Sequence, residues 1–245
     1  MGFLFAIIEN MNRPKQIILV RHAESARNKA KYGKGTTYFA DEYARRNVKG
    51  IPDYKIPLTK EGEEHAKATG KYLRERFGTF DYIYHSGYKR TKDTLENILK
   101  AYPNNEKVQM QIRHDAFIRE RDPGFTYDMT EAEATAAFPW LQEYWETYGG
   151  FFAYPPGGES IAKMTERVFQ FIGMLFDRRA DQKVLIVTHG GTIRAFRFLL
   201  ERWDYEQAIT WPPGTEPKNC GITVYNYNTE MHRLELSEYN TVVPE

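Results

Sequence analysis

The chain is short of thiols, of long apolar runs and of excess charge. A single cysteine, Cys220, stands among 245 residues. One thiol permits neither a disulfide within the chain nor a multi-cysteine metal site, and it fits a reducing compartment. The apolar run at residues 3–8 lacks the basic flank and the length of a signal peptide or membrane span. Ala6 also breaks the myristoylation pattern. A loosely packed tail over residues 1–14 is expected, with Met11 a second candidate start. The 34 basic and 33 acidic side chains leave a formal charge of +1. That balance excludes a general nucleic-acid coat and a polybasic membrane anchor, so any anion must be held by a local cluster. A cytoplasmic protein without nucleic-acid or membrane partners is expected. Neither a linker nor an internal repeat divides the chain, and residues 15–245 are read as one domain.

What is present is an alternation of strands and helices. Residues 16–20 (QIILV) and 184–188 (VLIVT) read as buried strands, and 81–85 (DYIYH) and 108–112 read as strands without that assignment. Helical spacing predicts helices over 63–77, 89–102, 160–176 and 192–203, and a terminal hairpin over 221–227 and 231–236. This pattern predicts a three-layer α/β/α sandwich with a mostly parallel sheet. Two segments interrupt it. Residues 29–57 are polar and loop-like; residues 121–158 combine aromatics with a Pro-Pro-Gly-Gly turn. The second reads equally as a lid over a site or as a small helical subdomain. YGKGTT near residue 32 lacks the spacing of a phosphate-binding P-loop, and the aromatics of 140–154 read as packing before a nucleobase platform.

Chemistry gathers at strand ends. In open α/β sheets ligands bind at the carboxyl ends of strands. His22 follows QIILV and His189 follows VLIVT, each with small residues and a helix after it. If the two strands are neighbours, both imidazoles meet helix N-termini in one crevice, where backbone N–H groups favour an anion. Arg21 adds a planar donor fork suited to phosphate oxygens. Arg90, in HSGYKRTKDT, opens a helix after a third strand and can point back to the same edge.

The segments LVRHAESARN, LTKEGEEHA, SGYKRTKDT, GGES and VTHGGTIR resemble, in order and spacing, the histidine phosphatase superfamily, its phosphoglycerate-mutase-like or acid-phosphatase-like branch. The likeness covers roughly residues 15–227. It departs at Ala23, where Gly is usual, and at His65, where Gln is common. The resemblance implies that His22 is the nucleophile that becomes phosphohistidine. It implies that Arg21, Asn28, Arg90 and His189 hold the phosphate and that Glu120, in IRERDPG, is the proton donor. A surface ion pair with Arg119 or Arg121 is the competing role for Glu120, and Asp122 and Glu131 are the next donor candidates. No metal and no cofactor is implied, and His189 is left either charged or neutral.

The expected function is a metal-independent phosphomonoester hydrolase acting on a small phosphorylated metabolite. The alternative is a phosphoglycerate mutase, which must grip a carboxylate. Residues 122–147 are acidic and contain no Lys or Arg, which argues against that grip. Lys31, Lys34, Arg45 and Arg46 are basic residues that could supply it instead. A third reading, a non-catalytic phosphate-binding protein, suits a chain that has lost a His or Arg of the set, and all four are present. A homodimer through the C-terminal hairpin or the tail is also open.

Overall fold

The run QIILV forms β1 (Gln16–Arg21), with its four central residues enclosed. The structure, a computed structural model, describes residues 13–31, 38–210 and 215–244. Most of the expected tail, and the YGKGTT segment with Lys34, lie outside the described residues. After a short helix, Ala26–Ala30, come α1 (Lys60–Phe77), β2 (Tyr82–His85), α2 (Lys89–Ile98) and β3 (Gln111–His114). Then follow α3 (Glu131–Ala137), α4 (Leu141–Phe152), α5 (Ile161–Arg178), β4 (Lys183–Thr188), α6 (Gly190–Leu200), β5 (Ile222–Asn228) and β6 (Arg233–Thr241).

The sheet order is β3-β2-β4-β1-β5-β6; the first four strands are parallel, and β5 and β6 run antiparallel. Side chains alternate across each strand, so each strand feeds two cores. Ile17, Leu19, Val184 and Ile186 pack with Val168, Phe171 and Leu175 of α5 and Phe196 of α6. Ile18, Val20, Leu185 and Val187 pack with Leu73 of α1 and Leu95 and Ile98 of α2. The three expected layers are therefore present. Among the described residues no helix is long and apolar enough to cross a membrane.

Several boundaries differ from expectation. The third strand begins at Gln111, not at 108: Val108 ends a short helical turn and is 78% exposed. β3 is an edge strand whose four residues all face solvent. The helix expected over 89–102 passes into a 3-10 turn, Leu99–Ala101. α6 starts directly after His189, two residues earlier than its apolar spacing indicated, and β6 continues to Thr241.

The segment 29–57 is not all loop. Asp41 caps a helical turn, Glu42–Arg45, a 3-10 turn spans Asp53–Lys55, and Phe39, Val48 and Ile56 form a small core. The aromatic insertion is helical, built from α3 and α4, with α4 kinked at Gly149 (φ 71°). Its neck is closed by hydrogen bonds from Phe125 N to Pro156 O (2.8 Å) and Glu159 N to Asp122 O (2.9 Å). Gly158 lies so close to Asp122 that a Cβ would meet Asp122 O at 2.5 Å.

Candidate active site

β1 and β4 are in register, Arg21 opposite Thr188. The residue after each strand is a histidine, so the register alone makes His22 and His189 neighbours. Their ring centroids are 5.2 Å apart, edge to face. A cavity of about 510 Å³ opens above them, and Arg21, His22, Asn28, Arg90 and Glu120 all reach its wall. Of the six expected site residues only His189 does not line it; it lies behind His22, fully buried.

His22 Nδ1 is 2.8 Å from the Ala23 carbonyl oxygen. A carbonyl can only accept, so Nδ1 carries the proton and Nε2 keeps its lone pair. Burial, followed by the charges of Arg90 and Arg21, holds the pKa well below the usual 6.5. The imidazole is therefore neutral and carries its free lone pair on Nε2. Ala23 causes no strain in place of glycine: it is not among the residues with positive φ, and its N–H bonds Thr94 Oγ1 at 3.0 Å.

His189 is also neutral, its pKa lowered by burial and then by Arg90, His22 and Arg21. Its Nε2 meets Ser86 Oγ at 2.7 Å, Ser86 Oγ meets Thr91 Oγ1 at 2.9 Å, and Thr91 donates to Tyr88 O at 2.8 Å. Because this chain ends on a carbonyl, the arrangement that satisfies every member has Nε2–H donating to Ser86. Nδ1 then keeps a lone pair and takes no partner among the described residues.

Asn28 works first as a cap. Its Oδ1 accepts from Ser25 N (3.1 Å) and Ser25 Oγ (2.8 Å), closing the first turn of the short helix. That leaves the Asn28 amide N–H groups for the cavity. Asn219, not singled out in the sequence, donates to His22 O at 2.8 Å and braces the same turn.

Glu120 is held from behind. Arg167 Nη1 bonds Phe117 O (2.6 Å) and Arg119 O (2.8 Å), and Nη2 bonds Glu120 O (3.0 Å). Thr188 Oγ1 and Thr192 Oγ1 bond Ile118 O and Arg119 O. Glu159, of the GGES segment, pairs with Arg167 through both oxygens, each at 2.9 Å. Glu120 Oε1 itself accepts from Arg121 N at 2.9 Å. The surface ion pair considered for Glu120 is not formed among the described residues; Arg119 pairs with Glu159 instead. Of the competing donors, Asp122 accepts from Gly124 N, Glu131 lies in the first turn of α3, and neither lines the cavity.

The cavity is cationic beyond these residues. Arg27, Lys31, Arg121 and Arg194 join Arg21 and Arg90 on its wall, against two carboxylates, Asp53 and Glu120. Burial, and then Arg27 close by, push the Lys31 pKa down to about 7. Burial likewise lowers Arg194 to about 10. The acidic run 122–147 contributes Pro123, Tyr127 and Trp145 to the wall, but none of its carboxylates. Asp128 instead accepts from Gly50 N (2.8 Å), and Glu133 pairs with Arg45 and closes the cap of α3. The expected repulsion of a substrate carboxylate by that run is thus not supported. Of the basic alternatives, Lys31 reaches the cavity; Arg45 is buried against Glu42 and Glu133, and Arg46 lies over the Tyr43 ring.

Arg27, Asp53 and Arg194 were missed in the sequence, while Trp145 belongs to the aromatic insertion read as a lid or a subdomain. Arg194 had a signal, a basic residue in the opening turns of a helix that follows a strand-end histidine. Asp53 had none, since it is 37 positions from its partner Arg90.

Residues 17–240 match the profile of the histidine phosphatase superfamily, branch 1. The chain is 32% identical over 210 residues to phosphoglycerate mutase-like protein AT74H of Arabidopsis thaliana, covering 78% of this chain and 66% of that protein. It is 28% identical over 222 residues to the 2,3-bisphosphoglycerate-dependent phosphoglycerate mutase of Rhizobium etli, covering 89% and 94%. A solved structure of a mycobacterial glucosyl-3-phosphoglycerate phosphatase with VO3 shares the fold at TM-score 0.67 and 21% identity, covering 93% of this chain and 99% of that one. The chain belongs to the histidine phosphatase superfamily, branch 1.

Proposed function

We propose that the protein hydrolyses a small phosphomonoester, without a metal, through a phosphohistidine at His22. One observation carries this reading. A neutral imidazole with its Nε2 lone pair free lies on the wall of a cationic cavity, with a carboxyl group on the same wall.

In the first step the Nε2 lone pair attacks phosphorus in line with the leaving oxygen, and the P–O bond breaks as the P–N bond forms. Arg21, Arg90, the Asn28 amide and the N-terminus of α6 take the charge that develops on the equatorial oxygens. Glu120, protonated, gives its proton to the leaving oxygen. In the second step Glu120 takes a proton from a water that attacks phosphorus, and phosphate leaves neutral His22. A cavity of about 510 Å³ has room for that water beside the ester, since water occupies about 30 Å³ in the liquid.

Arg27, Lys31, Arg121 and Arg194 support a substrate with a second anionic group. The same four residues favour a second reading, phosphoglycerate mutase, because they could grip a carboxylate. Hydrolysis of p-nitrophenyl phosphate, run beside a 3-phosphoglycerate mutase assay primed with 2,3-bisphosphoglycerate, separates the two. Hydrolysis without mutase flux, abolished in His22→Ala, is the expected result. Mutase flux exceeding hydrolysis would replace the hydrolase reading with the second.

A further inference from the structure

Arg90 carries the phosphate in the account above, yet a carboxylate already sits on it. Asp53, on the 3-10 turn that ends the 29–57 insertion, holds Arg90 with three bonds. Arg90 Nη1 donates to Asp53 O (2.7 Å) and Oδ1 (3.0 Å), and Nη2 donates to Oδ2 (3.2 Å). Such a pair inside an anion pocket has two opposite meanings. Asp53 either competes with the phosphate for Arg90 or fixes Arg90 for it.

The geometry of the guanidinium favours the second. A guanidinium has five N–H donors in one plane, grouped in two forks. Asp53 fills the fork made by Nη1 and Nη2. The other fork, Nε–H with the second N–H of Nη2, takes no partner among the described residues. It is a bidentate donor pair of the kind that suits two oxygens of one phosphoryl group. The Tyr88 ring lies 4.8 Å from the guanidinium carbon and limits movement out of plane. Arg90 is itself 5% exposed, so its stem is set by the core. An anion can therefore use the open fork without breaking any bond to Asp53.

We propose that Asp53 is a positioning residue, which holds the Nη1/Nη2 edge of Arg90 so that the Nε/Nη2 edge faces the phosphate. The proposal rests on the phosphate-binding reading of the cavity. It also gives the insertion a task, since it ties residues 38–57 to the phosphate clamp.

Binding of inorganic phosphate to the full chain, followed by calorimetry, tests it with KM for p-nitrophenyl phosphate measured alongside. Asp53→Asn is expected to weaken phosphate about tenfold, the order expected for losing a charge-assisted bond, and to raise KM more than it lowers kcat. Asp53→Glu keeps the charge but displaces the fork, and is expected to weaken phosphate as well. In an Arg90→Met background Asp53→Asn should change phosphate affinity no further, because its effect passes through Arg90. Tighter phosphate binding by Asp53→Asn would mean competition and would overturn the proposal. So would a full tenfold loss persisting in Arg90→Met, which would mark a merely structural role, or unchanged affinity in Asp53→Glu, which would leave charge alone at work. If the folded wild-type chain binds no phosphate, the reading of the cavity fails and the proposal with it. Wild-type binding left unchanged by Asp53→Asn would sink the proposal alone.

Discussion

Gly191→Ala separates the proton donor from the phosphate clamp. Gly191 lies in the first turn of α6, without a positive φ, where alanine suits the helix. A Cβ built there would sit 2.6 Å from Glu120 Oε1 and 3.4 Å from Met164 Cε. Ordinary contact begins near 3.4 Å, so the carboxylate must retreat by about 0.8 Å. It cannot do so freely, because the same oxygen accepts the Arg121 N–H bond and Arg167 fixes the backbone behind it. A displacement of about 1 Å costs on the order of 100-fold in a step that depends on position. The loss should fall on substrates whose leaving oxygen needs a proton. An alkyl phosphate such as glycerol phosphate should lose about 100-fold in kcat/KM, while p-nitrophenyl phosphate, with its stable phenolate, loses less than about 3-fold. Steady-state kinetics on the two substrates, with Tm equal to or above wild type, is the assay. Equal losses on both substrates, or none on either, would refute the role given to Glu120.

Two other outcomes follow from the electrostatics. His22 and His189 have folded pKa values below the unfolded value of 6.5. The unfolded chain therefore takes up protons that the folded chain resists, and stability is lost as pH falls below about 6.5, by up to about 1.4 kcal/mol per pH unit for each histidine. Thermal melts at pH 7 and pH 5.5 should show Tm falling, with a shallower fall in His22→Asn; an unchanged slope in that variant would contradict the assignment. Arg27→Met should raise KM for 3-phosphoglycerate about tenfold, by loss of one charge-assisted contact, and KM for p-nitrophenyl phosphate far less. Equal rises would remove the second-anion subsite.

The parts of this site that could be read from the sequence are those made by one short stretch. A run such as QIILV has to be enclosed on both faces, so the polar residues that end it have to lie at the sheet edge. The register of β1 against β4 then joins His22 to His189. Arg90 was legible for the same reason, being one turn beyond β2. What could not be read depends on distant partners. Asp53 meets Arg90 only because the insertion folds back over α2. The acidic run 122–147 suggested a repulsive wall, but none of its carboxylates lines the cavity; Glu133 instead caps α3 and pairs with Arg45, and Asp128 accepts from Gly50 N. Val108 and Ile112 were read into one strand, although Val108 ends a helical turn and Ile112 lies on a solvent-facing edge strand. Apolar pattern gives the period of an element and not the side from which it is covered.

The central claim is that His22 carries the phosphoryl group between substrate and water. Rapid quench of the enzyme at neutral or alkaline pH during turnover of a ³²P-labelled phosphomonoester, followed by peptide mass spectrometry, tests it directly. The account predicts one acid-labile, base-stable phosphoryl group on His22, formed at least as fast as turnover and absent in His22→Ala. Label on another residue, or full turnover with none on His22, would contradict it.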